Sequence, residues 1–225
     1  MVLRVSTWIV RRSARWSRRM TWPGVTMRHR PVRLSVRSLK TVASSAGLPI
    51  AQSRPCVVQT AFGETGAHKL LARLQIAAPR ARFHLMGHSF GCIVASATVA
   101  GPVGGPDLPR PVDSLFLVQG ALSLWSYAAD IPYAAGTAGY FHRIVKNGLV
   151  RGPIVTTRSS HDTAVGRFYP LGAQVRKQLV LGNDLPAYGG IGSFGIQGAK
   201  GVEDIPMRAA NFAYGFRPAT IYNLE

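Results

Sequence analysis

The chain has 225 residues, of which 47% are hydrophobic, and its formal net charge is +18. This length and apolar content suffice for a core of single-domain size, and no stretch approaches the roughly eighteen apolar residues of a membrane span. We therefore expect a largely soluble, cytoplasmic protein. The two cysteines, Cys56 and Cys92, support neither a disulfide framework nor a zinc site, and no residue pattern indicates a cofactor.

The positive charge is concentrated at the N-terminus. Residues 1–54 hold 12 of the 27 Lys and Arg residues and no acidic residue, so the excess says little about the rest of the chain. Three interpretations are open. The segment has the composition of an organellar transit peptide, or it is a basic arm whose Trp8, Trp16 and Trp22 contact anionic lipid or nucleic acid. The third, which we favour, is that it is not native coding sequence but a GC-rich gene read in the wrong frame; all three predict disorder or poor packing.

From residue 64 onward the apolar residues become periodic. Their helical spacing predicts an amphipathic helix over 64–78, which Pro79 ends. The later predicted elements are a strand at Arg82–Met86, a helix at Gly91–Ala100, a strand at Ser114–Val118, a short helix around Tyr140–Lys146, a strand at Gly152–Thr157, a helical stretch to about Lys177, a glycine-rich loop over 189–201 and an extended piece at Thr220–Leu224. Continuous apolar runs separated by helices predict an α/β domain over 55–225, with a parallel sheet and helices on both of its faces.

The pentapeptide Gly87-His88-Ser89-Phe90-Gly91 lies between the first strand and the helix that follows it. A G-x-S-x-G sequence at such a corner is typical of a nucleophile elbow, in which a strained backbone lifts the serine oxygen above the sheet. Glycine is needed on both sides because larger side chains would collide with the strand and the helix. We therefore predict that Ser89 is a nucleophile.

A serine hydroxyl needs a histidine to take its proton and an acid to orient that histidine. Asp162 lies a few residues past the C-terminal end of the third strand, where functional groups of parallel sheets collect, and we predict that it is the acid; it would also cap a helix. Asp130 is the second choice. The backbone N–H of Phe90 is the first oxyanion donor, but the arginine-rich segment contains no turn that would supply the second.

The histidine of such a triad is not evident, because no histidine follows His161, which adjoins Asp162. We expect the other five in structural settings: His29 in the basic segment, His68 on a helix surface, His84 in a strand, His88 in the elbow and His142 in a helix that would suit a lid. Of these, His142 is the best substitute base.

About 160 residues, from Glu64 to Leu224, resemble a portion of an α/β-hydrolase, and in particular a group of bacterial serine-hydrolase-like proteins. The stretches that carry the resemblance are Gly63–Leu71, Phe83–Cys92, Gly152–Thr157, His161–Gly166 with Tyr169–Leu171, and Tyr188–Gly192. The resemblance implies that Ser89 and Asp162 carry over by position. It also implies earlier strands with an oxyanion loop, and a histidine after the last strand. We therefore expect a hydrolase core shortened at its C-terminus, with an N-terminus read from another frame.

These observations predict a serine hydrolase that acts on a small ester, thioester or amide through an acyl-Ser89 intermediate. We expect it to be nearly inactive, because the members of a triad act as a unit. One alternative is a non-catalytic α/β-hydrolase-like binding or scaffold protein. Another is binding of anionic membrane or nucleic acid through residues 1–54, although nucleic acid is not the partner we expect.

An aromatic stretch follows the second strand. It comprises Leu124–Tyr127 together with Tyr133, Tyr140 and Phe141. It would line an apolar acyl site or form core and lid packing, and we favour the packing.

Overall fold

The described residues form a parallel sheet that packs against helices. The computed structural model describes residues 3–4, 54–159, 185, 188–209 and 211–225. The strands are β1 (Leu3–Arg4), β2 (His84–His88), β3 (Ser114–Val118), β4 (Ile154–Thr157), β5 (Val202–Ile205) and β6 (Ile221–Leu224), all parallel, in the spatial order β1-β2-β3-β4-β6-β5. The helices are α1 (Arg54–Phe62), a π-helical turn (Gly63–Ala67), α2 (His68–Ala77), α3 (Gly91–Ala100), α4 (His142–Lys146) and α5 (Ile191–Phe194). The predicted α/β fold class is confirmed.

Most predicted elements occur where the sequence places them, and β3 and α3 have the predicted bounds. Four described elements lie where none was predicted: β1, α1, β5, and α5, which falls within the predicted glycine-rich loop. Strand β5 reads Val-Glu-Asp-Ile and lies at the edge of the sheet, where charged residues are common and the apolar signal is weak. Helix α1 was missed because it lacks an apolar face, although Pro55 near its start suits a first helical turn.

The main core lies between α3 and one face of the sheet. Nine of the ten residues of α3 are buried, as expected of a helix that is apolar on all sides. Leu85, Leu115 and Leu117 of the sheet belong to the same buried cluster as Ile93 of α3. The helix that follows Ser89 is therefore fixed by packing along nearly its whole length.

The other face of the sheet is covered in part by aromatic residues. Phe116, Val155 and Tyr222 share this face, because they are register partners on neighbouring parallel strands. Tyr214 and Phe216 pack against them. Met86 of β2, the register partner of Phe116, is 41% exposed. The helix predicted to end near Lys177 lies outside the described residues.

A buried carboxylate holds the starting ends of three strands together. Asp113 precedes β3; its Oδ2 accepts the backbone N–H of Phe83 at 2.7 Å, and its Oδ1 pairs with Arg151. Burial by itself would raise the pKa of Asp113, but the hydrogen bonds from Phe83 and Arg151 lower it by more, so its pKa lies below the usual value. The charged form of Asp113 is therefore the stabilising one.

The basic segment 1–54 lies outside the described residues except for Leu3, Arg4 and Arg54. Leu3 pairs with Leu85 and Arg4 with Met86 in the sheet. Arg54 is the first residue of α1. None of the helices in the described part of the chain is long and apolar enough to cross a membrane.

Candidate active site

Ser89 lies at a sharp corner between a strand and a helix. β2 ends at His88, α3 begins at Gly91, and Ser89 between them has a φ of +54°. A non-glycine residue with positive φ is uncommon, and such strain persists only where the surroundings fix it. This is the backbone that a nucleophile elbow requires.

Close packing of two backbones explains the glycine before this corner. A Cβ on Gly87 would lie 2.3 Å from the carbonyl oxygen of Gly91 and 2.6 Å from the nitrogen of Cys92. No side chain can move aside to relieve that contact. The start of α3 can approach the end of β2 only because position 87 has no side chain.

Hydrogen bonds to the neighbouring strand fix the corner. The N–H of Ser89 donates to the carbonyl oxygen of Val118, the last residue of β3, at 3.0 Å. The carbonyl oxygen of Ser89 accepts the N–H of Ala121 at 3.1 Å and that of Cys92 at 3.1 Å. The backbone N–H and C=O of Ser89 are thus both hydrogen-bonded, which holds its strained conformation in place.

Phe90, whose backbone N–H is the predicted oxyanion donor, is the residue after Ser89. Phe90 is helical (φ −61°, ψ −22°) and precedes the first residue of α3, and its ring packs partly buried against the core. The N-terminus of a helix carries partial positive charge, so negative charge near Phe90 would be stabilised.

The predicted acid Asp162 and its neighbour His161 lie outside the described residues. β4 pairs with β3, which in turn pairs with β2, so the chain that leaves β4 does so at the same sheet edge as Ser89. Beyond β4 the backbone N–H of Arg158 donates to the carbonyl oxygen of Leu224, and the N–H of Ser159 donates to the carbonyl oxygen of Gly192.

The prediction that His68 lies on a helix surface is wrong. His68 is only 4% exposed; its Nδ1 lies 2.8 Å from the carbonyl oxygen of Thr98 and its Nε2 lies 3.1 Å from that of Pro106. The buried residues of α2 are His68, Leu71 and Gln75, so the side of the helix that faces the core is not the predicted apolar side that includes Leu70. The His68 ring fills the space beside Gly101 at the far end of α3 from Ser89.

The other histidines of the described part do not pair with Ser89 either. His84 lies at the starting end of β2, with its Nδ1 2.8 Å from the Ser114 hydroxyl. His88 is exposed, and the Nδ1 of His142 lies 3.3 Å from the carbonyl oxygen of Tyr127. Within the described part, no hydrogen bond joins a histidine to Ser89.

The second-choice acid stabilises a turn. Asp130 is exposed, and its Oδ1 accepts the backbone N–H of Gly136 at 2.8 Å. This hydrogen bond closes the loop between Asp130 and Gly136.

The aromatic stretch is mainly buried. Leu124, Trp125, Tyr127 and Phe141 are each at most 5% exposed, whereas Tyr133 and Tyr140 remain exposed. Tyr127 forms a buried hydrogen bond with Ser96 of α3, with 2.6 Å between the two hydroxyl oxygens. The four buried residues agree with the prediction of core packing, and the two exposed tyrosines do not.

Cys92 lies directly beneath the corner. Burial raises the pKa of its thiol to about 12, and the thiol donates to the carbonyl oxygen of Gly87 at 3.2 Å. We expect iodoacetamide at neutral pH to leave Cys92 unmodified in the folded protein and to alkylate it after unfolding, because the thiolate is the nucleophile. Peptide mass spectrometry measures this, and rapid alkylation of Cys92 in the native state would contradict it.

The sequence did not indicate two further groups at this sheet edge. Gln119 directly follows β3, has a φ of +45°, and donates its N–H to the Thr157 hydroxyl at 3.1 Å. Arg158 directly follows β4 and lies 2.9 Å from a Glu225 carboxylate oxygen and 3.4 Å from one of Asp204. The position of each residue just after a strand was the signal in the sequence that could have placed it at this end of the sheet.

No set of three or more His, Cys, Asp and Glu side chains in the described residues could hold a metal ion. No protein-family model matches the sequence, no curated protein matches it, and no solved structure matches it.

Proposed function

We propose that this protein is a serine hydrolase of α/β-hydrolase type, in which Ser89 attacks an ester, thioester or amide carbonyl. The observation that carries the proposal is the positive φ of Ser89 at the corner between β2 and α3. That backbone is costly, and here it is maintained by tight packing and paired backbone groups. A serine held in this way is positioned for nucleophilic attack.

In the proposed reaction the Ser89 oxygen forms a bond to the carbonyl carbon, and the carbonyl oxygen becomes negative. The Phe90 N–H and the N-terminal end of α3 would stabilise that charge. The bond between the carbonyl carbon and the leaving group then breaks, and the leaving group takes a proton from water. A further water molecule attacks the acyl carbon, which breaks the ester bond to Ser89 and releases the acid, while the Ser89 oxygen regains a proton from solvent. We propose Asp162 as the acid of this site, from its position after β4.

Proton removal from Ser89 is the weak step. The described histidines lie in other settings, so we expect slow acylation whose rate depends on hydroxide. The rate should then rise about tenfold per pH unit between pH 7 and 9, whereas a histidine base would give a plateau above its own titration.

A fluorophosphonate probe tests the proposal, with the labelled residue located by mass spectrometry. We expect slow labelling at Ser89 and none in Ser89→Ala. Labelling should be unchanged in Ser114→Ala, which removes a serine at the starting end of β3, the opposite end of the strands from Ser89. Absence of labelling at Ser89 after prolonged exposure at pH 9 would overturn the nucleophile assignment. Rapid labelling with a plateau near neutral pH would instead show that a base is present.

The setting of the histidines favours one second candidate, a non-catalytic binding protein that retains the elbow for structural reasons. Under that alternative Ser89→Ala would leave ligand binding intact, and no turnover would exist to be lost.

We also propose a cytoplasmic location, which the free buried thiol of Cys92 supports, since thiols persist in reducing compartments.

A further inference from the structure

The solvent-facing side of the first helical segment has an unusual composition. Residues 54–77 form one continuous helical run through α1, the π-helical turn and α2, with helical backbone at both junctions. Four large hydrophobic side chains on this run are exposed: Val58 (64%), Phe62 (58%), Leu70 (56%) and Ile76 (70%). A surface helix normally presents polar residues to solvent.

Cations lie among these hydrophobic residues. In α2 the side facing the core carries His68, Leu71 and Gln75, and the opposite side carries Lys69, Leu70, Arg73 and Ile76. Helical spacing places Arg73 between Leu70 and Ile76. We call Val58, Phe62, Lys69, Leu70, Arg73 and Ile76 the outer face.

The cations of this region are not used to hold the fold together. Arg80 and Arg82, both exposed, follow α2 directly. None of the ion pairs in the described part of the chain involves Lys69, Arg73, Arg80 or Arg82. Acidic Glu64, the nearest acid in sequence, is turned to Tyr140 and Arg143 instead.

We propose that the outer face docks on an anionic lipid bilayer. Aliphatic and aromatic side chains on one side of a helix enter the boundary between headgroups and acyl chains, while Lys and Arg beside them attract anionic headgroups. A phosphate backbone would engage the cations but give Leu70 and Ile76 no role. A symmetric contact with a second copy would place Lys69 and Arg73 close to the same cations of the partner.

Vesicle binding of the full chain tests this surface. Phosphatidylcholine vesicles with about 30% phosphatidylserine are compared with pure phosphatidylcholine by co-sedimentation at about 0.15 M salt. The basic residues of 1–54 add electrostatic binding of their own, so the decisive variant removes apolar contact and leaves the charge unchanged. We expect Leu70→Gln with Ile76→Gln to lower the partition coefficient about tenfold or more.

Matched controls are available elsewhere on the surface. Val103→Gln with Met207→Gln removes two other exposed hydrophobic side chains and should leave binding unchanged. Lys69→Gln with Arg73→Gln should weaken binding more than Lys146→Gln with Lys200→Gln, which removes the same charge elsewhere. Far-UV circular dichroism establishes that each variant is folded.

Three results would overturn the proposal. One is that Leu70→Gln with Ile76→Gln binds the anionic vesicles as strongly as the wild type does, since binding would then be electrostatic only. A second is a dimer in sedimentation velocity that this variant dissociates, with no vesicle binding, since a second copy would then be the occupant. The third is tight binding of single-stranded RNA, unaffected by the variant, in the absence of vesicle binding.

Discussion

Replacement of Gly87 by alanine is expected to lower the free energy of unfolding by about 3 kcal/mol, because a buried overpacked contact has no means of relaxing. The added Cβ would lie 2.3 Å from the carbonyl oxygen of Gly91. Relief requires the start of α3 to move away from β2, and α3 is buried along nearly its whole length. The same movement would release the strained backbone of Ser89, so any labelling at Ser89 should be lost together with stability.

Urea unfolding measures this effect. Gly66→Ala is the matched control, because a Cβ there meets the Phe62 ring at an ordinary 3.5 Å within a helical segment. That variant should be as stable as the wild type or slightly more so, by up to about 1 kcal/mol, since alanine favours the helix. If both variants unfold at the same urea concentration, the close approach at the corner is not the reason for glycine at position 87.

Asp113→Asn is expected to cost about 2 kcal/mol at neutral pH, since a buried charge-assisted hydrogen-bond set is lost. An amide oxygen can still accept the N–H of Phe83, but the amide does not carry the charge that pairs with Arg151. Thermal or urea unfolding measures the loss. The exposed Asp107→Asn is the control and should change little.

The pH dependence follows from the lowered pKa of Asp113. A carboxyl group whose pKa is lower in the folded state stabilises the fold fully above its unfolded pKa, about 3.9, and loses that contribution as the pH falls through the folded value. The difference in unfolding free energy between wild type and Asp113→Asn should therefore shrink as the pH falls below about 4. A difference that stays constant over that range would show that the charge of Asp113 is not what stabilises the fold.

The sequence was most informative where a local pattern and the packing required the same residues. Ser114–Val118 could be predicted because a run of five apolar or small residues between turn signals has few alternatives to a buried strand. The helix Gly91–Ala100 was equally clear, since small apolar residues without breakers end at Gly101. Around Ser89, the glycine at 87 indicated the close approach that the structure contains.

His68 shows where this reasoning fails. The helical spacing of Leu70, Leu71 and Leu74 places His68 outside the predicted apolar side, but the side of α2 that faces the core carries His68, Leu71 and Gln75. The ring nitrogens of His68 lie within hydrogen-bond distance of the carbonyl oxygens of Thr98 and Pro106, which are 30 and 38 positions away in the chain. A local pattern of apolar residues does not contain that information.

Local order by itself determined that Ser89 follows a strand and precedes a helix, because backbone preference and burial over some fifteen residues point to the same structure. Only the tertiary structure decided which strands are neighbours, that the edge strand β5 joins beyond β6, and that Asp113 holds Phe83 and Arg151 together. Those contacts join residues about 20 positions or more apart. They depend on which surfaces fit when the sheet closes, and a linear pattern of apolar residues does not record that fit.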